Sequence, residues 1–191
     1  MVTMFDILGF TPNLVTLLGL FIVTISAICI SLGYMFLAGI ILIIGGALDL
    51  VDGGLARKQN SASSFGALLD SVIDRIQEGL ILLTLMIYYQ INSCDWTVLS
   101  YSICGLGATL AFTAFISSIM VSYVRAKAES LGIDCKSGVM TRPERVVAIS
   151  IGLLLFNWLP QILISVLAII TILGSYTTLQ RVIESHNRLK K

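Results

Sequence analysis

Six apolar stretches, at 14–32, 34–55, 65–89, 98–124, 146–158 and 162–179, take up most of this chain and are joined by short polar turns. A helix rising 1.5 Å per residue needs about 20 apolar residues to cross a hydrocarbon core of roughly 30 Å. Most of the stretches meet that length. The fifth is short, and its helix is expected to include part of the polar segment Arg142-Pro143-Glu144-Arg145 that precedes it. With 57% apolar and only 12% charged residues in 191, a soluble profile is excluded. The expected fold is an all-α integral membrane protein with six transmembrane helices, forming a single domain over 1–191.

The cations give a test of that plan. All twelve, Arg57, Lys58, Arg75, Arg125, Lys127, Lys136, Arg142, Arg145, Arg181, Arg188, Lys190 and Lys191, fall near the ends of the second, fourth and sixth stretches or the starts that follow. The opposite turns, at 31–34, 90–97 and 157–161, carry none. By the positive-inside rule both termini are cytoplasmic, in the plasma membrane. Trp96 and Trp158 then sit in outer turns, where an aromatic belt belongs. Residues 1–10 lack a basic n-region, so the first helix is expected to be retained. Cys29, Cys94, Cys104 and Cys135 have no metal or disulfide spacing and read as small apolar filler.

Within this apolar frame, Asp49, Asp52, Asp70 and Asp74 are out of place. A carboxylate in a transmembrane segment costs about 2.5–3.5 kcal/mol on insertion scales, so four of them demand partners. If both stretches are helical, the spacings of three and four put each pair on one helix face. The polar connection 58–64 reads as a hairpin loop that folds the second pair back toward the first. Oxygen-only ligands of this kind suit Mg²⁺, Mn²⁺ or Ca²⁺ rather than zinc. Gly53, beside Asp52, leaves backbone open to a nucleotide, and Arg57, one turn on, offers phosphate oxygens a planar fork.

The pattern D-x-x-D-G-x-x-A-R-x8-G-x-x-x-D-x-x-x-D is met in full by Asp49, Asp52, Gly53, Ala56, Arg57, Gly66, Asp70 and Asp74. It resembles the signature of the CDP-alcohol phosphatidyltransferase family. The resemblance extends to TPNLVT near the start and to SYVRAKAESLG and RPER later, and so covers nearly the whole chain. It implies a homodimeric membrane enzyme that transfers a lipid phosphate from a CDP-linked lipid to a small alcohol and releases CMP. It also implies that Asn13, Thr16, Asp49, Gly53, Ala56, Arg57, Gly66 and Asp70 bind the CDP-lipid. Two divalent ions on the four aspartates would neutralise the diphosphate. A base must also take the acceptor's proton; the residues alone leave Asp70 and Asp74 open, and the resemblance implies Asp74.

Arg142 and Arg145 stand at a helix N-terminus, where the dipole disfavours cations. An anion would reconcile them. With Ser122, Arg125 and Lys127 from the end of the fourth helix, they are expected to hold a phosphate carried by the acceptor. The SYxRA(K/R)AE and RxER segments are similar to the branch that uses inositol 1-phosphate, the phosphatidylinositol phosphate and archaetidylinositol phosphate synthases. Glycerol 3-phosphate or serine is the alternative acceptor. CDP-diacylglycerol and CDP-archaeol fit an apolar groove equally, and no nucleic-acid partner is expected. Glu129 and Glu144 are expected to pair with nearby cations, and lone His186 to be solvated. A cation-coupled transporter is the competing class, but no inverted repeat is visible and the aspartates lie toward one face.

Overall fold

The computed structural model describes residues 2–7, 9–59, 63–92, 97–98, 101–134 and 137–190. The expectations for Cys94, Trp96, Cys135, Lys136 and Lys191 lie outside the described residues. The chain forms α1 (Val2–Ile7), α2 (Pro12–Ser31), α3 (Met35–Lys58), α4 (Ser64–Ile91), α5 (Ile103–Ser130), α6 (Arg142–Leu155) and α7 (Gln161–Leu189). A minimal antiparallel pairing of β1 (Thr97–Val98) with β2 (Tyr101–Ser102) precedes α5. The helix α5 therefore begins later than the apolar stretch at 98–124 suggests, because the backbone first pairs as a short two-stranded ribbon.

Local sequence explains most helix boundaries. Pro12 opens α2 at its first turn, where a missing N–H is harmless; Thr11 takes the cap position with extended backbone, but its hydroxyl makes no capping bond. Ser63 does cap α4, accepting from the Gly66 amide at 3.0 Å. The turn from α2 to α3 uses Gly33 at φ 83°, a left-handed conformation that costs glycine little. Two elements were not foreseen: α1, and the helical continuation of the polar tail to Leu189, where His186 occupies the last turn of α7.

Four of these helices, α2, α3, α5 from Gly105 and α7, are long and apolar enough to cross a membrane. Their outer faces are apolar as well as their inner ones. On α2, Val15, Gly19, Val23, Ala27 and Ile30 face inward while Leu14, Leu17, Phe21, Ile28 and Leu32 are exposed. Such an all-round apolar helix suits lipid contact. In lipid, burying apolar area supplies little drive for association, so close packing and interhelical hydrogen bonds must hold the bundle. Ser26 Oγ bonds the Ala38 carbonyl at 2.8 Å across α2 and α3. Nearby, a Cβ on Gly45 would come within 2.7 Å of Val23, so glycine is what permits that approach.

The main contacts close a ring in the order α2, α3, α6, α7, α5, α4 and back to α2. One consequence departs from the expected hairpin. α3 and α4, which carry the aspartates, are not principal neighbours; each packs against α2, which stands between them in the ring, although Asp49, Asp70 and Asp74 still line one cleft as expected. At the same end of α3, α1 docks through Val2 and Phe5 on a small core of Val15, Leu48, Val51 and Leu55. Asp6 ties it down, paired with Lys58 at 2.9 Å and accepting from Gln59 at 2.9 Å.

Candidate active site

α3 supplies Asp49 and Asp52 from its last turns, and α4 supplies Asp70 and Asp74 from its first half. The first residue of α6, Arg142, reaches between them. Its guanidinium pairs with Asp49 Oδ2 through Nη1, lies 2.7 Å from Asp74 Oδ1, and donates to Gln77 Oε1 from Nη2 at 2.5 Å. The contact to Asp74 is an ion pair without hydrogen-bond alignment, which leaves Asp49 Oδ1 and Asp74 Oδ1 both buried and not hydrogen-bonded. Arg75 adds a longer contact to Asp74 Oδ2 at 3.4 Å. Thus sequence positions far apart meet because α6 enters the ring beside α3.

Asp52 is held differently. Thr16 Oγ1 lies 2.6 Å from its Oδ2, and the Gly53 amide donates to its Oδ1 at 2.6 Å. Thr16, expected to face a nucleotide, instead spends its proton on a motif carboxylate, since the Pro12 carbonyl is farther at 3.1 Å. Asn13 and Gly66 do come together: a Cβ on Gly66 would stand 3.3 Å from Asn13 Oδ1. Arg57 folds back over Gly53, with Nη1 3.7 Å from where a Cβ would be, and Ala56 is half-buried beside it.

A cleft of about 350 Å³ opens onto these groups. Its lining combines charged groups, Asp49, Asp70, Asp74 and Arg142, with apolar ones, Ile43, Leu50, Val146 and Val147 among them. A ligand with an anionic head and a hydrocarbon body matches that combination. For the cluster to hold a divalent ion, donor type and charge fit: the ligands are oxygens, two of them buried without a hydrogen bond, and a guanidinium already sits on them. Among the described residues, no three acidic, His or Cys side chains yet converge on one point. Loading would therefore require Arg142 to yield Asp49 and Asp74, while Asp52 stays oriented by Thr16 and Gly53.

The expected acceptor residues are distributed rather than gathered. Arg125 is exposed and paired with Glu129 one turn on at 2.8 Å; Lys127 is exposed, and Ser122 is half-buried. Arg145 is 1% exposed, with Nε and Nη2 on Glu78 at 2.6 and 2.9 Å and Nη1 on the Met140 carbonyl at 3.0 Å. Glu144 accepts from the Thr141 hydroxyl. Sequence reading passed over Gln77, Glu78 and Arg181. Glu78 continues the row Asp70, Asp74 at i+4, a signal that was available. Arg181, an ionisable residue inside an apolar helix, is also a flag; it is buried and donates to the Ser137 and Val121 carbonyls at 2.7 and 2.6 Å.

A profile of the family described as CDP-alcohol phosphatidyltransferase matches residues 10–178. The chain belongs to that family. This CDP-alcohol phosphatidyltransferase, an enzyme of phospholipid biosynthesis, is similar to two archaetidylinositol phosphate synthases. It is 32% identical to that of Methanothermobacter thermautotrophicus over 97% of this chain and 88% of the relative. To that of Pyrococcus horikoshii it is 36% identical, over 96% and 87%. The phosphatidylinositol phosphate synthase of Mycolicibacterium smegmatis is 31% identical, over 91% and 77%. The fold is that of the Mycobacterium tuberculosis phosphatidylinositol phosphate synthase at 24% identity. Its complex with manganese and citrate superimposes with TM-score 0.85 over 96% of this chain and 86% of that one. Its form with CDP-DAG bound gives TM-score 0.84 over 96% and 90%.

Proposed function

We propose that this phosphatidyltransferase moves the lipid phosphate of a CDP-linked lipid onto a hydroxyl of inositol 1-phosphate and releases CMP. The observation that carries the reading is the mixed lining of the cleft, in which Asp49, Asp70, Asp74 and Arg142 stand beside apolar residues of α3 and α6. The charged groups suit a diphosphate and a phosphorylated acceptor. The apolar residues suit the lipid body, either diacylglycerol or archaeol. The named activities of the relatives, and the CDP-DAG and manganese held by the structural neighbour, support the same assignment.

Asp49, Asp52, Asp70 and Asp74 are the residues that would hold Mg²⁺ or Mn²⁺, as two ions. When bound, these would supply charge neutralisation for the diphosphate and the departing CMP. The protein's own groups do the rest. Asn13, Gly66, Gly53, Ala56 and Arg57 form the nucleotide side of the site, with Thr16 orienting Asp52. Asp74 takes the proton of the acceptor hydroxyl as its oxygen forms the new P–O bond, while the P–O bond to the CMP oxygen breaks. Arg142 reads the acceptor phosphate, assisted from the α5 end by Ser122, Arg125 and Lys127. Arg145 supports α6 from behind through Glu78.

All six long helices cross the membrane in this reading, with both termini and the cleft on the cytoplasmic side, and the enzyme works as a homodimer. α4 spans despite its charges because Asp70, Asp74 and Glu78 face protein partners or the cleft rather than lipid. The test is CMP release by purified protein with a CDP-lipid and Mg²⁺ or Mn²⁺, comparing inositol 1-phosphate, glycerol 3-phosphate, serine and inositol. Turnover with inositol 1-phosphate alone is expected, and is expected to vanish in Asp74→Asn. Preference for serine or glycerol 3-phosphate would reject the acceptor assignment.

A further inference from the structure

The residue that links the carboxylates to Arg142 belongs to no recognised motif. Gln77 is 3% exposed, one turn beyond Asp74 on α4. Its Oε1 accepts from Arg142 Nη2 at 2.5 Å, and its Nε2 is buried and not hydrogen-bonded. That amide nitrogen is aimed at the small gap left by Gly19 on α2, where a Cβ would stand 3.4 Å from it and 3.7 Å from Asp49 Oδ1. Asp49 Oδ1 is the other buried atom without a hydrogen bond at this place. So one side chain has its acceptor end on the arginine and its donor end turned toward the aspartate that the same arginine grips.

The contrast with the neighbouring arginine is chemical. Arg145 meets a carboxylate, Glu78, which fixes it and cancels its charge. Arg142 meets an amide at Gln77 besides the carboxylates of Asp49 and Asp74, and the amide fixes the guanidinium without cancelling its charge. A cation held by a neutral carbonyl keeps its full attraction for an incoming phosphate dianion. Once ions take Asp49 and Asp74, the amide of Gln77 is the partner left to keep the guanidinium over the site.

Resting on the function proposed above, we propose that Gln77 is a positioning residue for the acceptor phosphate: it holds Arg142 charged and aimed, and acts through it rather than on the reacting atoms. Gln77→Met keeps the length and removes the anchor, whereas Gln77→Glu keeps the anchor and neutralises the arginine. Gln77→Met is expected to raise the KM for inositol 1-phosphate by about tenfold or more, the size for losing one hydrogen bond to a charged group, and Gln77→Glu to raise it similarly by cancelling the charge of the arginine. The KM for the CDP-lipid and the thermal midpoint of the protein in detergent stay within twofold and a few degrees of wild type, respectively. Calorimetric titration of the Mn²⁺-loaded protein with inositol 1-phosphate is expected to show the same tenfold weakening without turnover. An unchanged acceptor KM in both variants, or an equal rise for both substrates, would overturn the proposal. Wild-type protein that ignores inositol 1-phosphate altogether would instead overturn the function on which it rests.

Discussion

Arg145 and Glu78 form a two-point ion pair inside the bundle, Nε to Oε1 at 2.6 Å and Nη2 to Oε2 at 2.9 Å, with 2% and 7% of the side chains exposed. The pair locks the first turn of α6 to α4, at the residue next to Gln77 and one turn beyond Asp74. Breaking a buried pair by removing one partner leaves an uncompensated charge and costs about 3–5 kcal/mol. Arg145→Ala and Glu78→Ala are each expected to lower the thermal midpoint markedly and to reduce turnover with both substrates together. The double replacement Glu78→Leu with Arg145→Met is expected to recover much of that stability. A stable Arg145→Ala protein with a selective loss of acceptor affinity would return Arg145 to the phosphate pocket.

Arg142 sits on carboxylates that a divalent ion also needs. Its removal has opposite effects on the two forms of the protein. Without metal, Arg142→Ala leaves Asp49 and Asp74 facing one another and the protein is less stable than wild type. With Mn²⁺ that repulsion is relieved, so the metal-induced rise in thermal midpoint is expected to be larger in Arg142→Ala. Equal rises in the two proteins would mean that the arginine and the ion do not compete.

Thr16 donates the 2.6 Å hydrogen bond that orients Asp52. Thr16→Val keeps the shape and deletes the proton, at about 1.5–3 kcal/mol for a bond to a charged group. Weaker Mn²⁺ binding with intact folding is expected, and Thr16→Ser is expected to restore it. The bond is detectable without an assay of transfer, by Mn²⁺ titration alone.

The docking of α1 depends on a carboxylate at the aqueous edge. Asp6 is held below its ordinary value of 3.8, first by the hydrogen bond from Gln59 and then by Lys58. A depressed carboxylate contributes above its unfolded value and loses that contribution as pH falls through the folded one. The protection of α1 amides relative to their intrinsic exchange rate is therefore expected to fall below about pH 4, and Asp6→Asn to lack it at neutral pH as well. Identical protection in the variant and wild type at neutral pH would show that Val2 and Phe5 hold α1 unaided.

Residue spacing alone revealed the long helices and the groups that line the cleft, because charge is so scarce here that each aspartate in an apolar run announces itself. The partners were less legible. Nothing local says that Arg145 turns to Glu78, that Thr16 spends its hydroxyl on Asp52, or that Arg142 enters the carboxylates, since each pairing joins helices remote in sequence. The connection at 58–64 looked like a simple hairpin for the same reason: loop length limits reach but does not name the helix that fills the space between. α1 was too short and too near the terminus to register as a period.

The ring order gives α2 an influence that its own chemistry does not suggest. It contributes no carboxylate, yet the helices bearing all four lean on its two sides. Both flanks come close at Gly19, where a Cβ would stand 3.4 Å from Gln77 Nε2 on α4 and 3.7 Å from Asp49 Oδ1 on α3. A methyl group fits there at ordinary contact distance, so only a larger side chain would act as a shim between the two flanks.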